Sequence, residues 1–300
     1  MIMKDRILIA ILALLPVFVF PSCSKDSLDP ESVIKTTSYD NNGFDDWLDV
    51  NFVAPYNIRF KYRYEMNESD YNYFTVPAQY EYSIIMAHLV KYLCIESYDE
   101  VAGITFTRKY FPKLFFLIGE FEYRNNGTII LGTAEGGKKI LLAGVNYVNY
   151  CLARPELLNT YYIKMIHHEF THILNQTVDF STDFGQITGS GYVADSWSSE
   201  PYASNYLTSG FITAYSQHSD TEDFAEMMSS YITHDEAWWQ EQLATAGNPG
   251  AGYISSKLDI VKSYMMENFN IDLDELREVI SRRQDDVFSG KLDLMDITIQ

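Results

Sequence analysis

The chain is short of basic side chains. Lys and Arg number 22 against 41 Asp and Glu, a formal charge of −19 at pH 7. A polypeptide this acidic is poorly equipped to neutralise phosphates, which argues against nucleic acid as a partner. It equally argues against adhesion to anionic lipid through a basic patch. Cysteine is scarce too, at three residues, and no CxxC or Cys/His cluster occurs, so sulfur is not expected to hold a metal. Cys94 and Cys151 are either a disulfide formed outside the cytoplasm or two separate buried thiols. There is no internal repeat and no low-complexity tract. What remains is 47% hydrophobic and 15% aromatic, with 23 Tyr, the composition of a folded protein. Three hundred residues allow one large domain or two intimately packed ones.

Only one apolar run is long, and it lies at the N-terminus. Lys4 and Arg6 precede the 14 residues from Ile7 to Phe20, too few for a typical spanning helix but suited to an export signal, residues 1–22. Phe20-Pro21-Ser22-Cys23 resembles a bacterial lipoprotein cleavage box, with Phe20 and Pro21 as departures. That resemblance implies that Cys23 becomes a lipidated N-terminus, anchoring the protein without a transmembrane helix. The polar stretch 23–42 is then a tether, and 43–300 the folded domain.

Within that domain, residues 58–64 alternate apolar and charged and read as a strand. Residues 78–97 carry a helical apolar face that includes Ile84, Ile85, Leu89 and Leu93. Residues 113–118, 128–133 and 138–145 read as strands, the last two joined across Ala134-Glu135-Gly136-Gly137. The pattern does not say which strand lies at the sheet edge, and 138–145 is the first candidate. A loop-rich segment, 179–217, holds Trp197, Tyr202 and Tyr206. Helical patterns follow at 221–232, 236–246, 253–268 and 273–283, with Gly247-Asn248-Pro249-Gly250 as a break. The expected fold is α+β: a small mixed sheet and a motif helix in 43–180, then a loop and a mainly helical half in 181–300.

The motif helix is where chemistry concentrates. His168-Glu169-Phe170-Thr171-His172 is an HExxH sequence, and no Gly or Pro interrupts 156–178. Imidazoles four residues apart lie on one helical face and reach one zinc ion. Glu169 sits beside them, placed to take a proton from an attacking water. His167, His88 and His234 read as core or surface histidines. Catalytic zinc needs a third protein ligand. The HExxHxxGxxH arrangement is absent, because Asn175 and Val178 stand at the required positions. A carboxylate on a second helix is the alternative, and Thr221-Glu222-Asp223-Phe224-Ala225-Glu226 offers Glu222 or Asp223. Glu226, one turn from Glu222, is suited to orient a ligand histidine through its other ring nitrogen.

These motifs resemble the gluzincins, in which HExxH is followed by a glutamate on the next helix. They are most similar to the catalytic domain of anthrax lethal factor, where a tyrosine precedes Glu-x-Phe-Ala-Glu by seven residues, as Tyr215 precedes Glu222 here. They also resemble zinc metallopeptidase lipoproteins found beside outer-membrane nutrient importers. The resemblance spans His168 to Glu226, about a fifth of the chain. It implies a zincin-like fold with one Zn²⁺ per chain held by His168, His172 and Glu222. Glu169 is then the general base, Tyr215 a donor to the oxyanion, and Glu226 the residue behind a ligand histidine. His218, three residues after Tyr215, reads either as a substrate-binding residue or as a solvent-exposed loop histidine. The implied substrate is a peptide or protein. The implied location is the cell envelope of a Gram-negative bacterium, tethered to the outer membrane through Cys23. Capture of nutrient fragments for an importer, without catalysis, is the competing function.

Overall fold

The computed structural model describes residues 40–68, 72–73, 75–123, 129–135 and 138–299. The export segment, Cys23 and nearly all of the tether lie outside the described residues. From Asn41 onward the chain forms one compact unit.

β1 (Arg59–Lys61) enters the sheet early and leaves it after three residues. The sequence pattern extends this strand to Tyr64, but Tyr62 and Arg63 turn away to hold Asp45. The Tyr62 hydroxyl donates to Asp45 at 3.0 Å, and Arg63 forms two bonds to the same carboxylate. α1 (Tyr80–Leu89) continues as helical backbone to residue 102, longer than the apolar periodicity indicates. β2 (Leu114–Leu117) pairs parallel with β1. β3 (Glu122–Tyr123) and β4 (Ile129–Ile130) make a separate two-stranded ribbon. β5 (Gly132–Glu135) and β6 (Lys139–Leu142) form an antiparallel hairpin, and β6 also runs parallel to β2.

The hairpin corrects two expectations. Its first strand begins at Gly132 instead of Thr128, because the run splits at Leu131 between two sheets. The strand order is β1-β2-β6-β5, so 138–145 supplies an interior strand and β5 is the edge. Side chains alternate across the sheet as the pleat requires. Phe115, Leu117, Ile140 and Leu142 face the main core, while Phe116, Ile118 and Leu141 enter a smaller cluster with Phe121.

α2 (Lys164–Thr177) carries the HExxH motif, and Ile166, Phe170, Ile173 and Leu174 bury its inner face. α3 (Asp220–Thr233) packs on it. Ser219 caps α3, accepting from the Glu222 amide at 3.3 Å, where the sequence suggests Thr221. α4 (Glu236–Phe269) loses helical backbone at Gly247 and Asn248, at the expected break. α5 (Leu273–Phe288) completes the helical half. Cys94 and Cys151 are separate buried thiols.

Candidate metal centre

The site forms where α2 meets the first turns of α3. Helical spacing stacks His168 and His172, whose Nε2 atoms lie 3.1 Å apart. Oε2 of Glu222 lies 3.0 Å from the first and 3.2 Å from the second. Three donor atoms from two helices thus form a nearly equilateral triangle. The edge of a tetrahedron with metal–ligand bonds of about 2.0–2.1 Å is about 3.3 Å. Two imidazoles and a carboxylate with this spacing and composition fit zinc.

The neighbouring acid behaves differently. A residue advances about 100° around the helix, so Glu222 and Asp223 cannot share a direction. Asp223 is fully buried and accepts from Lys257 at 2.5 Å and from the Tyr192 hydroxyl at 3.0 Å. Lys257 is itself fully buried, bonds the Gly210 carbonyl at 3.0 Å, and lies 4.0 Å from the centre of the Phe211 ring. Burial pushes the Asp223 carboxyl up and the Lys257 ammonium down, while their mutual attraction opposes both shifts. Asp223 therefore serves the packing behind α3, and among the described residues the metal-competent cluster is His168, His172 and Glu222.

Glu226 faces His168 from the other side, its Oε1 2.8 Å from Nδ1. That leaves Nε2 of His168 pointing at the triangle. Both Glu226 oxygens accept from Lys164, at 2.8 and 2.7 Å, and Oε2 accepts from Thr213 at 2.6 Å. Sequence reading missed Lys164 and Thr213. Lys164 carries a usable signal, standing four residues before His168 on the same helical face; Thr213, in an irregular loop, carries none. Burial acts to lower the His168 pKa, but Glu222, Glu226 and Glu169 outweigh it and push it up to about 10 in the metal-free protein. Despite burial, His168 and His172 hold Glu222 well below the usual carboxylate range, and Lys164 and then His168 do the same for Glu226. The pocket is thus built to favour positive charge.

His167, by contrast, turns into the core. Burial drives its pKa down to about 3, and the Tyr98 hydroxyl lies 3.1 Å from its Nδ1. His88 is bound by the carbonyls of Ile84 and Asp296. Glu169 is half-buried and lines a cleft of about 1120 Å³ together with the three donors, Tyr215 and Trp197. Tyr215 comes from a short 3₁₀ turn (Tyr215–Gln217), and its ring centre is 6.1 Å from that of His168. His218 packs on Tyr215 at 5.6 Å and lies 3.5 Å from Asp195, at the periphery. The β5 edge borders the cleft through Gly132. A Cβ there would lie 2.5 Å from Met165 Sδ, so the glycine allows strand and helix to approach this closely.

Fold and site together define a protein of the zinc-metallopeptidase class. The chain belongs to a family described as putative zinc-binding metallo-peptidase, whose model matches residues 37–274. It is similar to a crystal structure of a putative zinc-binding metallo-peptidase from Bacteroides caccae ATCC 43185. The two are 39% identical, with a TM-score of 0.74, over 89% of this chain and 100% of that one. A comparison with curated proteins finds no match.

Proposed function

We propose that the protein is a zinc-dependent peptidase, exported and held at the cell envelope through Cys23, with one Zn²⁺ on His168, His172 and Glu222. The observation that carries this reading is the convergence of those three donors beside a half-buried glutamate in an open cleft. When bound, zinc acts as a Lewis acid that brings the pKa of water towards about 7 and polarises a carbonyl. The remaining work falls to the protein. Glu169 accepts the proton of the attacking water and passes it to the leaving amine, so one carboxylate serves as base and then as acid. The Tyr215 hydroxyl donates to the oxyanion as charge develops on the former carbonyl oxygen. Glu226, steadied by Lys164 and Thr213, keeps the His168 ring in one tautomer and orientation. The β5 edge offers backbone groups to an extended peptide.

In this reading the lipidated protein sits on the outer membrane and trims peptides, with an outer-membrane nutrient importer as the natural consumer. Purified protein is expected to contain one zinc per chain by mass spectrometry, and His168→Ala, His172→Ala and Glu222→Ala to lose most of it. Full occupancy in all three variants would contradict the ligand set. A zinc-loaded wild type that binds peptides but cleaves none would instead favour the nutrient-binding function. Labelled palmitate should enter the wild type and not Cys23→Ser; a wild type that never takes label rules out the anchor.

A further inference from the structure

We propose that Trp197 determines specificity, forming with Tyr215 an aromatic wall that receives a large apolar side chain of the peptide near the scissile bond. This rests on the peptidase reading of the cleft. The indole packs edge-on against Tyr215 with ring centres 5.1 Å apart, and Tyr215 in turn lies against His168. Trp197 is therefore one ring removed from the metal donors, and it lines the cleft while only half-buried.

The other tryptophans are used up by the fold. Trp47 and Trp239 are 5% and 4% exposed, and Trp238 stacks on His234 with centres 3.9 Å apart. Of the loop's other aromatics, Tyr192 bonds Asp223 and Tyr206 packs on the main core, while Tyr202 is exposed and does not line the cleft. Trp197 has no hydrogen-bond partner for its indole N–H among the described residues, and Tyr215 is its one ring neighbour there. An indole offers up to about 150–250 Å² of surface to burial. Here part of that surface is left open to a cleft.

The backbone that presents it is also unusual. Trp197 belongs to a 3₁₀ turn (Ala194–Ser198), and Ala194 has φ of 48°. A side-chain-bearing residue in that region is strained, and such strain concentrates at functional sites. The turn is tied down by the Val193 amide donating to the Gln217 carbonyl at 2.8 Å, beside the Tyr215 turn. Trp197 is thus held in place relative to Tyr215 at some cost.

The surrounding chemistry selects the side chain. Ile129, Leu131, Met165 and Phe180 supply apolar lining. Lys164 is the only Lys or Arg among the described lining residues, and both oxygens of Glu226 engage it. Away from the metal donors, an acidic side chain would find no free Lys or Arg and would meet Asp179 and Asp220 as well as Glu169.

The test uses zinc-loaded full-length protein and a fluorescent octapeptide library in which one position at a time is Phe, Ala or Asp. Binding is read by anisotropy on Glu169→Gln, and cleavage by mass spectrometry on the active protein. At one position, Glu169→Gln should bind Phe peptides at least about tenfold more tightly than Ala peptides, with Asp weaker still. Adding Trp197→Ala should erase that difference, while Trp197→Phe retains most of it. In the active background Trp197→Ala should lower kcat/KM about tenfold more for Phe peptides than for Ala peptides, at unchanged zinc content. An undiminished Phe preference in Trp197→Ala overturns the proposal. So does the absence of any such preference in Glu169→Gln, or equal loss in the Phe variant. Preferential binding without cleavage by the active protein would sink the peptidase reading and leave the Trp197 pocket standing.

Discussion

Replacing Asp223 by alanine should destabilise the protein while leaving its zinc in place. The carboxylate lies 2.5 Å from Lys257 Nζ, and neither residue is exposed at all. Removing the acid leaves an ammonium among Phe184, Tyr192 and Phe211, with the Gly210 carbonyl as its remaining hydrogen-bond partner. Breaking a buried ion pair from one side costs about 3–5 kcal/mol. At about 2–4 °C per kcal/mol for a domain of this order of size, the melting temperature should fall by about 6–20 °C. Lys257→Met should cost a similar amount by stranding the carboxylate. The double variant should recover much of the loss, since removing both charges leaves neither uncompensated. Differential scanning calorimetry of the four proteins measures this cycle, and mass spectrometry measures their zinc. Additive losses in the double variant would show that the two residues are not a pair. Zinc lost from a folded Asp223→Ala protein would show that Asp223, and not Glu222, is the ligand.

Two further outcomes follow from the same geometry. Tyr215→Phe should keep zinc and leave KM nearly unchanged while lowering kcat by about 10²-fold, because its hydroxyl acts mainly as the oxyanion forms; wild-type kcat in steady-state assays would remove Tyr215 from the reaction. His234 should make the protein acid-sensitive. The Asn159 amide donates to its Nε2 at 3.0 Å and its Nδ1 donates to the Ser230 carbonyl at 2.9 Å, an arrangement that suits the neutral ring. Burial lowers its pKa to about 4. Because the folded value lies below the unfolded 6.5, the contribution is present above about pH 6.5 and fades as pH falls towards about 4, by up to about 3 kcal/mol. Thermal melts of wild type and His234→Gln across that window should converge at the acid end; a gap that does not change with pH would refute this.

The parts legible in the sequence were those governed by local periodicity. The HExxH helix announces itself because its polar ligands and its buried face repeat at helical spacing, and Gly247 marks the break in α4 through its backbone. Strand order was not legible, because it depends on which strands meet, and β6 became interior only by pairing with β2. The division at Leu131 was hidden for a similar reason: Ile129 to Thr133 reads as one run, yet Gly132 must pass within reach of Met165. The choice between Glu222 and Asp223 was open to helical geometry alone. It is Lys257, 34 residues along the chain, that takes Asp223 out of contention. Thr213 escaped notice because an irregular loop carries no periodic signal, whereas Lys164 was within reach of one, four residues before His168 on the same helical face.

The central claim is that Glu169 serves chemistry and not the metal, in a protein that hydrolyses peptides. The most direct measurement compares peptide cleavage by wild type and Glu169→Ala, each at one zinc per chain. The account predicts that both proteins hold zinc and that the variant is slower by about 10²–10⁴-fold. A Glu169→Ala protein that cleaves at the wild-type rate, or a zinc-loaded wild type that cleaves nothing, would contradict it.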